Sequence, residues 1–388
     1  MLSATRREAR RPGRLLRPTG AAALALLLGA CAAGRGAAPG AAADARAAAE
    51  LAARFDALRS ERRIPGLAMV VLRGPRTLLA RGFGFADAEG RVPVTAGTPF
   101  DVASVSKPLS AVVALRLAED GVLDLDRPMK SFRDFDGFCE AARERGGVFF
   151  ADVACADDRL TLRRVLWMSA NGVPGTRFLY NPPLYSWASR PIAEAAGRPF
   201  SDLVESLVFN PAGMTRSARR HRTRPLRADL AADLARPFRV DPDGRVVPSD
   251  PPPPQGDGAA GGVVSTALDL ARFDVALEEG RLLTPGRRAE LFTPARTPSG
   301  VELPYALGWF LGEVDGRRLA WHTGLWEGRY SALYLKVLAD SPGERLTLIL
   351  LANSEGLQWP TGLDEAAIER SPFATTFLAA FPAAPPRR

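Results

Sequence analysis

Strand-like segments lie near both ends of this 388-residue chain, and a long, mostly helical stretch separates them. The first group comprises the apolar run 67–72 and the mixed run 77–84, with a turn at Gly74-Pro75-Arg76 between them. Four further strands are predicted after residue 305, at 306–312, 318–321, 330–337 and 346–351. Strands at the two ends of a chain usually join one sheet. The order therefore predicts an α/β lobe built from both termini, with a helical lobe inserted between them.

Helical segments complete this organisation. Periodic apolar residues predict helices over 46–60, 104–120 and 363–380. A capping-box pattern at residues 266–269 opens another helix inside the middle stretch. The folded domain is accordingly placed at 47–382, with an α/β lobe at 47–98 and 301–382 and a helical lobe at 99–300.

The first 30 residues have the organisation of an export signal. Six arginines precede an apolar run over 20–30, which is too short to cross a bilayer. The sequence Leu28-Gly29-Ala30-Cys31 resembles the bacterial lipobox, which predicts lipidation of Cys31 and a flexible Ala/Gly-rich tether over 31–46. We expect an exported lipoprotein of the bacterial cell envelope, anchored in a membrane and facing the periplasm. The alternative is a plain secretory signal, in which Cys31 is incidental.

Composition argues against two classes of function. The formal net charge is +8, but six of the arginines lie in the leader, so the charge gives little support for nucleic-acid binding. The basic run 216–227, which contains His221, is expected to be a solvated surface, with anionic lipid heads as a further possible contact. Three cysteines and two histidines exclude most structural zinc sites, and we expect no metal.

Two cysteines remain once Cys31 is set aside. Cys139 and Cys155 lie in a stretch, 131–158, that separates two better-patterned segments. Export would permit a disulfide between them that staples this insertion, and two free buried thiols are the alternative.

The residues that carry chemistry are Ser104 and Lys107. Of the 51 basic residues, lysine occupies only positions 107, 130 and 336, so each lysine invites a specific explanation. Serine and lysine at i and i+3 share one helix face, and a desolvated lysine can accept the proton of a serine, as an arginine cannot. The alternative reading is a serine that caps the helix and a solvated lysine.

Around these two residues the sequence resembles the serine penicillin-recognising hydrolases, which include class C-type β-lactamases, DD-peptidases, esterases and aminopeptidases. Residues 98–108, Thr-Pro-Phe-Asp-Val-Ala-Ser-Val-Ser-Lys-Pro, are close to the first motif of that family. Trp321-His322-Thr323-Gly324 is similar to the third motif, on a predicted strand. Further similar segments occur at 117–128, 160–166 and 261–273.

The resemblance implies a β-lactamase/transpeptidase-like fold, an antiparallel sheet flanked by helices with an inserted helical lobe. It implies that Ser104 is acylated and that Lys107 and Tyr180 share the acid–base work. The backbone N–H groups of Ser104 and Leu325 would form the oxyanion hole. His322, Thr323 and Gly324 would line the substrate strand, and no metal or organic cofactor is implied.

The second motif departs from the family pattern Tyr-x-Asn. Here the sequence is Tyr180-Asn181-Pro182, so proline stands where the family has asparagine, and Asn181 is one position off. Tyr185 is a second candidate for the tyrosine, although we expect it to be a core aromatic residue. His322 in place of lysine would also attract a substrate carboxylate less strongly. We therefore expect hydrolysis of small acyl esters. The alternatives are β-lactamase, DD-peptidase or D-aminopeptidase activity on lactam or peptidoglycan-like substrates, or a non-catalytic envelope binding protein.

Overall fold

The computed structural model describes residues 39–359 and 367–382. The predicted signal segment and Cys31 lie outside the described residues. The strands are β1 Gly66–Arg73, β2 Arg76–Gly84, β3 Phe100–Asp101, β4 Ala218–Arg219, β5 Phe238–Val240, β6 Val246–Pro248, β7 Val263–Ser265, β8 Phe310–Val314, β9 Arg317–Trp326, β10 Tyr330–Val337 and β11 Leu346–Ala352. The helices are α1 Pro39–Glu61, α2 Ser106–Glu119, α3 Phe135–Arg145, α4 Leu162–Leu166, α5 Pro182–Trp187, α6 Ser189–Ala196, α7 Phe200–Val204, α8 Asn210–Ala212, α9 Ala228–Asp233, α10 Ala267–Glu278, α11 Pro285–Glu290 and α12 Pro372–Ala380.

Strands from both ends of the chain form one antiparallel sheet, which confirms the predicted fold class. The order is β2-β1-β11-β10-β9-β8, so the early strand β1 lies directly beside the late strand β11. In that pair Val70 is opposite Ile349. Every residue of β10 and β11 is buried. Helices α1 and α12 pack together, with the Phe55 and Phe373 rings 5.4 Å apart.

The stretch between the two groups of strands holds α2 to α11 and also two small sheets that the sequence did not reveal. One sheet has the order β3-β7-β4, and the other pairs β5 with β6. Strands of two or three residues are too short to show an alternating pattern. The β3–β7 pairing matters for function because it brings the chain just before Ser104 beside the segment that follows Gly261-Gly262.

The structure corrects two predicted boundaries near the chain ends. Helix α1 begins at Pro39, so 39–46 is helical and does not belong to a flexible tether. Alanine-rich sequence favours helix, and the Asp44 carboxylate is 2.8 Å from Arg73, which ties the first turns to β1. Helix α12 begins at Pro372, after a Ser371 cap, and not at 363. Residues 360–366 lie outside the described part of the chain.

The basic run 216–227 is not a uniformly solvated surface, which corrects the prediction. Arg219 is 1% exposed and His221 8% exposed. The Arg219 guanidinium is 2.9 Å from the Asp257 carboxylate and also donates to the carbonyl of Gly258. Because Asp257 is distant in sequence, the run itself gave no sign of this burial.

The insertion that contains Cys139 and Cys155 is closed by a bond between the two sulfurs, with the Cα atoms 6.2 Å apart. In the described part of the chain, no helix has the length and apolarity that a membrane crossing requires. The same residues contain no cluster of His, Cys, Asp and Glu side chains that could hold a metal ion.

Candidate active site

Ser104 lies in a single 3-10 turn, Ala103–Val105, between strand β3 and helix α2. Ala103 has a φ of +47°, a left-handed conformation that is uncommon for a residue with a Cβ. Ser106 stabilises the turn, since its hydroxyl donates to the Ala103 carbonyl at 2.6 Å. This geometry leaves Ser104 partly exposed while its neighbours Ala103 and Val105 are buried.

The Lys107 side chain lies one helical turn further on and reaches back to the serine. Its Nζ is 2.7 Å from Ser104 Oγ and 3.2 Å from the Ala260 carbonyl oxygen. Lys107 is fully buried, and no carboxylate among the described residues forms an ion pair with it. Burial lowers the pKa of the Lys107 amine well below that of an exposed lysine. The group can therefore be a neutral base beside the serine hydroxyl.

Tyr180 is brought to the same place, although it is distant in sequence. Lys107 Nζ is 5.0 Å from the centre of the Tyr180 ring. The phenol oxygen is buried and has no hydrogen-bond partner among the described residues. Burial raises the pKa of Tyr180 above its usual value, and the nearby Ser104 hydroxyl opposes that shift only in part. The phenol is therefore protonated and can donate.

The second candidate tyrosine has a different environment. Tyr185 is fully buried, and its hydroxyl donates to the backbone carbonyl of Lys107 at 3.1 Å. This hydrogen bond supports helix α2 from behind the site. Of the two tyrosines, Tyr180 is thus the one whose hydroxyl makes no bond to the backbone in the described part of the chain and interacts with Ser104.

Asn181 is committed to local structure. Its side-chain oxygen accepts a hydrogen bond from Leu184 N at 3.0 Å and so caps α5. Its side-chain nitrogen donates to the Phe149 carbonyl at 2.7 Å and to Asn171 at 2.9 Å. Pro182 occupies the first turn of α5 and has no donor. Neither residue supplies the side-chain amide that the family motif places at this point.

His322 lies on β9 in an aromatic box formed by Tyr180, Tyr305 and Phe310. Its Nδ1 is 2.6 Å from the Thr323 carbonyl oxygen, which can only accept, so Nδ1 carries the proton. Nε2 then accepts from the Tyr305 hydroxyl at 3.0 Å. Burial first, and the Lys107 charge second, lower the pKa of His322 well below its usual value. The ring is neutral, and both its nitrogens are engaged within the protein. This differs from the expectation that its side chain contacts the substrate.

The edge of β9 beyond His322 faces the serine turn. Pairing with β8 ends at Phe310 and Trp321, whereas pairing with β10 continues as far as Trp326. Gly324 permits the close approach, because a Cβ there would lie 2.3 Å from the carbonyl oxygen of Val102. Thr323 is 4% exposed and Leu325 is half-buried. Backbone groups of β9 thus lie against the segment that carries Ser104.

Residues 51–370 match the sequence profile of the Beta-lactamase family. The chain belongs to the beta-lactamase family. A penicillin-binding protein of Bacillus subtilis (strain 168) is 26% identical over 328 residues, which are 78% of this chain and 70% of that protein. A D-aminopeptidase of Gluconobacter oxydans (strain 621H) is 25% identical, over 79% of this chain and 59% of that protein. The crystal structure of a class C beta lactamase from Rhodobacter sphaeroides superposes with a TM-score of 0.60 at 21% identity, over 85% of this chain and 98% of that chain.

Membership makes this chain a serine hydrolase of a family whose members act on amides, esters and lactams. The structure brings Ser104, Lys107 and Tyr180 together and lays the edge of β9 against them. Sequence reasoning assigned no role to Asp101, Ala260 or Tyr305, which contact this site. Asp101 lies within the first motif, at residues 98–108.

Proposed function

We propose that this beta-lactamase-family protein hydrolyses small acyl esters through an acyl-enzyme on Ser104. The observation that carries the proposal is the 2.7 Å contact between Ser104 Oγ and the amine of Lys107. A buried lysine without a counter-ion is poised to be neutral at physiological pH, and a neutral amine at that distance can take the serine proton.

In the first half of the reaction Lys107 accepts the Ser104 proton while Oγ bonds to the ester carbonyl carbon. The carbonyl π electrons move to the oxygen, which becomes an oxyanion. As the tetrahedral species collapses, the alcohol oxygen leaves with a proton from Tyr180, and the Lys107 ammonium returns a proton to the phenol. The proton transfers then run in reverse: the water oxygen bonds to the acyl carbon as Tyr180 accepts its proton, while the phenol's own proton passes to Lys107. Lys107 returns a proton to Ser104 Oγ as the bond from Oγ to the acyl carbon breaks, which releases the acid and restores Ser104.

The oxyanion would be held by the backbone N–H groups of Ser104 and Leu325. Such donors act strongly when water is excluded and when they are fixed in advance. The proposal is supported by the approach of β9 to the serine turn at Gly324 and Val102.

The preference for esters follows from the polar side-chain groups that would assist an amide substrate and that this site lacks. Asn181 is occupied as a helix cap, and Pro182 has no side-chain donor. The His322 ring is neutral and buried, so it presents no ammonium to a substrate carboxylate. Esters need less help with the leaving group than amides do. A D-amino-acid amide is the second substrate class to test, since a D-aminopeptidase is among the relatives.

The test combines a fluorophosphonate serine probe with three substrates: an activated short-chain ester, a D-amino-acid anilide and a chromogenic lactam. We expect labelling at Ser104 and turnover of the ester above all. Ser104→Ala should abolish both. Lys107→Arg should be nearly as damaging, because an arginine keeps its proton, whereas Lys130→Arg at the surface should behave as wild type.

Tyr180→Phe should lose about 10²–10⁴-fold in rate, the usual size of a general acid contribution. An active Lys107→Arg variant would return Lys107 to a structural role. Faster turnover of the anilide or the lactam than of the ester would show that esters are not the preferred substrate class. Ser104 would remain the proposed nucleophile. A wild-type protein that neither labels nor turns over any substrate would favour the envelope-binding alternative.

We also propose that the protein is a lipoprotein anchored through Cys31 on the periplasmic side of a membrane. The lipobox-like sequence directly after the apolar run supports this. Cys31→Ala should move the protein from the membrane fraction to the soluble fraction and abolish lipid labelling. A wild-type protein that is already soluble and unlabelled would refute the anchor.

A further inference from the structure

One carboxylate oxygen joins the serine turn to strand β9. Oδ1 of Asp101 accepts a hydrogen bond from the backbone N–H of Ala103 at 3.0 Å. The same oxygen accepts a hydrogen bond from the indole Nε1–H of Trp326, also at 3.0 Å. Asp101 is 3% exposed, so the bond from Ala103 is shielded from water, and the bond from the half-buried Trp326 is partly shielded.

The two donors lie next to the two groups that would hold the oxyanion. Ala103 directly precedes Ser104, and Trp326 directly follows Leu325. Between Asp101 and Ala103, the carbonyl of Val102 lies against Gly324. Each N–H group of the proposed oxyanion hole therefore belongs to a residue that is next in sequence to a hydrogen-bond donor of Asp101.

The turn needs such a restraint. Ala103 has a φ of +47°, a conformation that costs an alanine free energy and persists only where its surroundings hold it. The bond from its N–H to Asp101 spans two residues and fixes the peptide that enters this conformation. On the other side of the carboxylate, Arg220 Nη2 is 3.6 Å from Oδ2 and balances its charge.

We propose that Asp101 is a positioning residue that sets the distance between the N–H of Ser104 and the N–H of Leu325. The proposal rests on the acyl-enzyme function proposed above. Asp101 touches neither Ser104 Oγ nor the substrate in this scheme, and it acts through Ala103 and Trp326. Because an oxyanion-hole donor contributes only when it is placed correctly, a small shift of β9 relative to the turn lowers the rate of the chemical step and leaves substrate binding unchanged.

The experiment alters the hydrogen bond between Trp326 and Asp101 from each side. Trp326→Phe deletes the indole donor and keeps an aromatic ring, and Asp101→Asn removes the charge and keeps an acceptor. The matched control is Trp187→Phe, because Trp187 is a buried tryptophan whose indole N–H has no partner among the described residues. We measure kcat and KM for an activated ester, the rate of fluorophosphonate labelling, inhibition by an arylboronic acid, and thermal unfolding.

Trp326→Phe is expected to lower kcat by about 10–100-fold, which is less than the loss on removing an oxyanion donor altogether. KM should change less than about two-fold, and the affinity for the boronic acid should fall by a factor similar to kcat, because its tetrahedral adduct needs the same donors. Asp101→Asn should lose less, since its side-chain oxygen can still accept both bonds. The double variant should be scarcely worse than Trp326→Phe, because both changes act on one contact.

If Trp326→Phe keeps the kcat and the boronic-acid affinity of the wild-type protein, Asp101 is not a positioning residue. Labelling of Ser104 in the wild-type protein would still support the proposed function in that case. The assignment is also wrong if Trp326→Phe loses rate only in proportion to its loss of folded protein, with unchanged boronic-acid affinity. Failure of the wild-type protein to label at all would instead overturn the function and, with it, the inference.

Discussion

Replacing each of the three lysines by methionine should have three different effects on stability. Lys107 and Lys336 are buried to the same degree, at 0% and 1% exposure. They differ in their partners, because Lys336 Nζ lies 3.2 Å from Glu278 and also contacts Asp274, whereas Lys107 has no acidic partner among the described residues. Lys130 is at the surface, 2.9 Å from Asp158.

The magnitudes follow from the cost of an uncompensated charge. Every unit by which burial lowers the pKa of Lys107 costs the folded state about 1.4 kcal/mol, and this cost is complete only below the folded pKa. The two hydrogen bonds that Lys107 donates return only about 1 kcal/mol each. Lys107→Met should therefore raise the free energy of unfolding by about 1–3 kcal/mol near neutral pH. Lys336→Met leaves the buried Asp274 carboxylate without a cation, although Glu278 keeps Arg345 and Arg288, and should lower it by about 3–5 kcal/mol. Lys130→Met should change it by less than about 1 kcal/mol.

The pH dependence gives the decisive measurement. The folded pKa of Lys107 is lowered, so between that value and the unfolded pKa of about 10.4 the unfolded chain binds the extra proton. Wild-type stability thus rises with pH across this window, and the advantage of Lys107→Met shrinks. Chemical unfolding at about pH 7 and at about pH 9.5, with the disulfide intact, would show this. If the stability difference between Lys107→Met and wild type is the same at both pH values, folding does not lower the pKa of Lys107, and the amine is not a neutral base.

Three further outcomes are expected. The kcat/KM of ester hydrolysis should rise with pH through one acid limb set by Lys107. Tyr180 should add no alkaline loss below about pH 10, because its pKa is raised. The acid limb should persist in His322→Gln, and its disappearance there would make the imidazole the base. Replacing Cys139 and Cys155 by alanine should lower the free energy of unfolding by about 3 kcal/mol, since the bond closes a loop of 16 residues. Two free thiols in the unreduced wild-type protein, counted apart from Cys31, would contradict this. Asn181→Ala should cost about 1–3 kcal/mol of stability through the lost cap, with far less loss of kcat than Tyr180→Phe. A kcat loss as large as that of Tyr180→Phe would place Asn181 in the reaction.

The parts of the fold that were predictable from sequence are those with a local pattern. Strand β11 covers Leu346–Ala352, against a prediction of 346–351, because its continuous apolar run is bounded by turn residues. The pairing of Ser104 with Lys107 was predictable for a similar reason, since a spacing of three residues places two side chains on one helix face. Their contact at 2.7 Å needs no information from outside the segment.

The parts that were not predictable depend on distant partners. Arg219 lies in a run of basic residues, yet its guanidinium is buried and bonds to Asp257 and to two backbone carbonyls. The local sequence does not distinguish Asp101 from any other residue of a short strand, because its donor Trp326 lies 225 positions later. Sequence periodicity reports which face of an element is apolar, and it does not report which polar groups meet inside the fold.

The neutral state of His322 is linked to that of Lys107. The two side chains share one aromatic region, where Tyr180 contacts both the amine and the imidazole. Two cations in so dry a region would repel each other strongly, and the Lys107 charge does contribute to the lowered pKa of His322. The imidazole Nε2 also accepts a hydrogen bond from the Tyr305 hydroxyl, so Nε2 carries no proton of its own. The site can therefore hold a proton on Lys107 during the reaction, and it keeps no permanent positive charge on His322. A substrate with a neutral acyl group suits such a site better than one whose binding depends on a carboxylate, which is the physical basis for expecting esters.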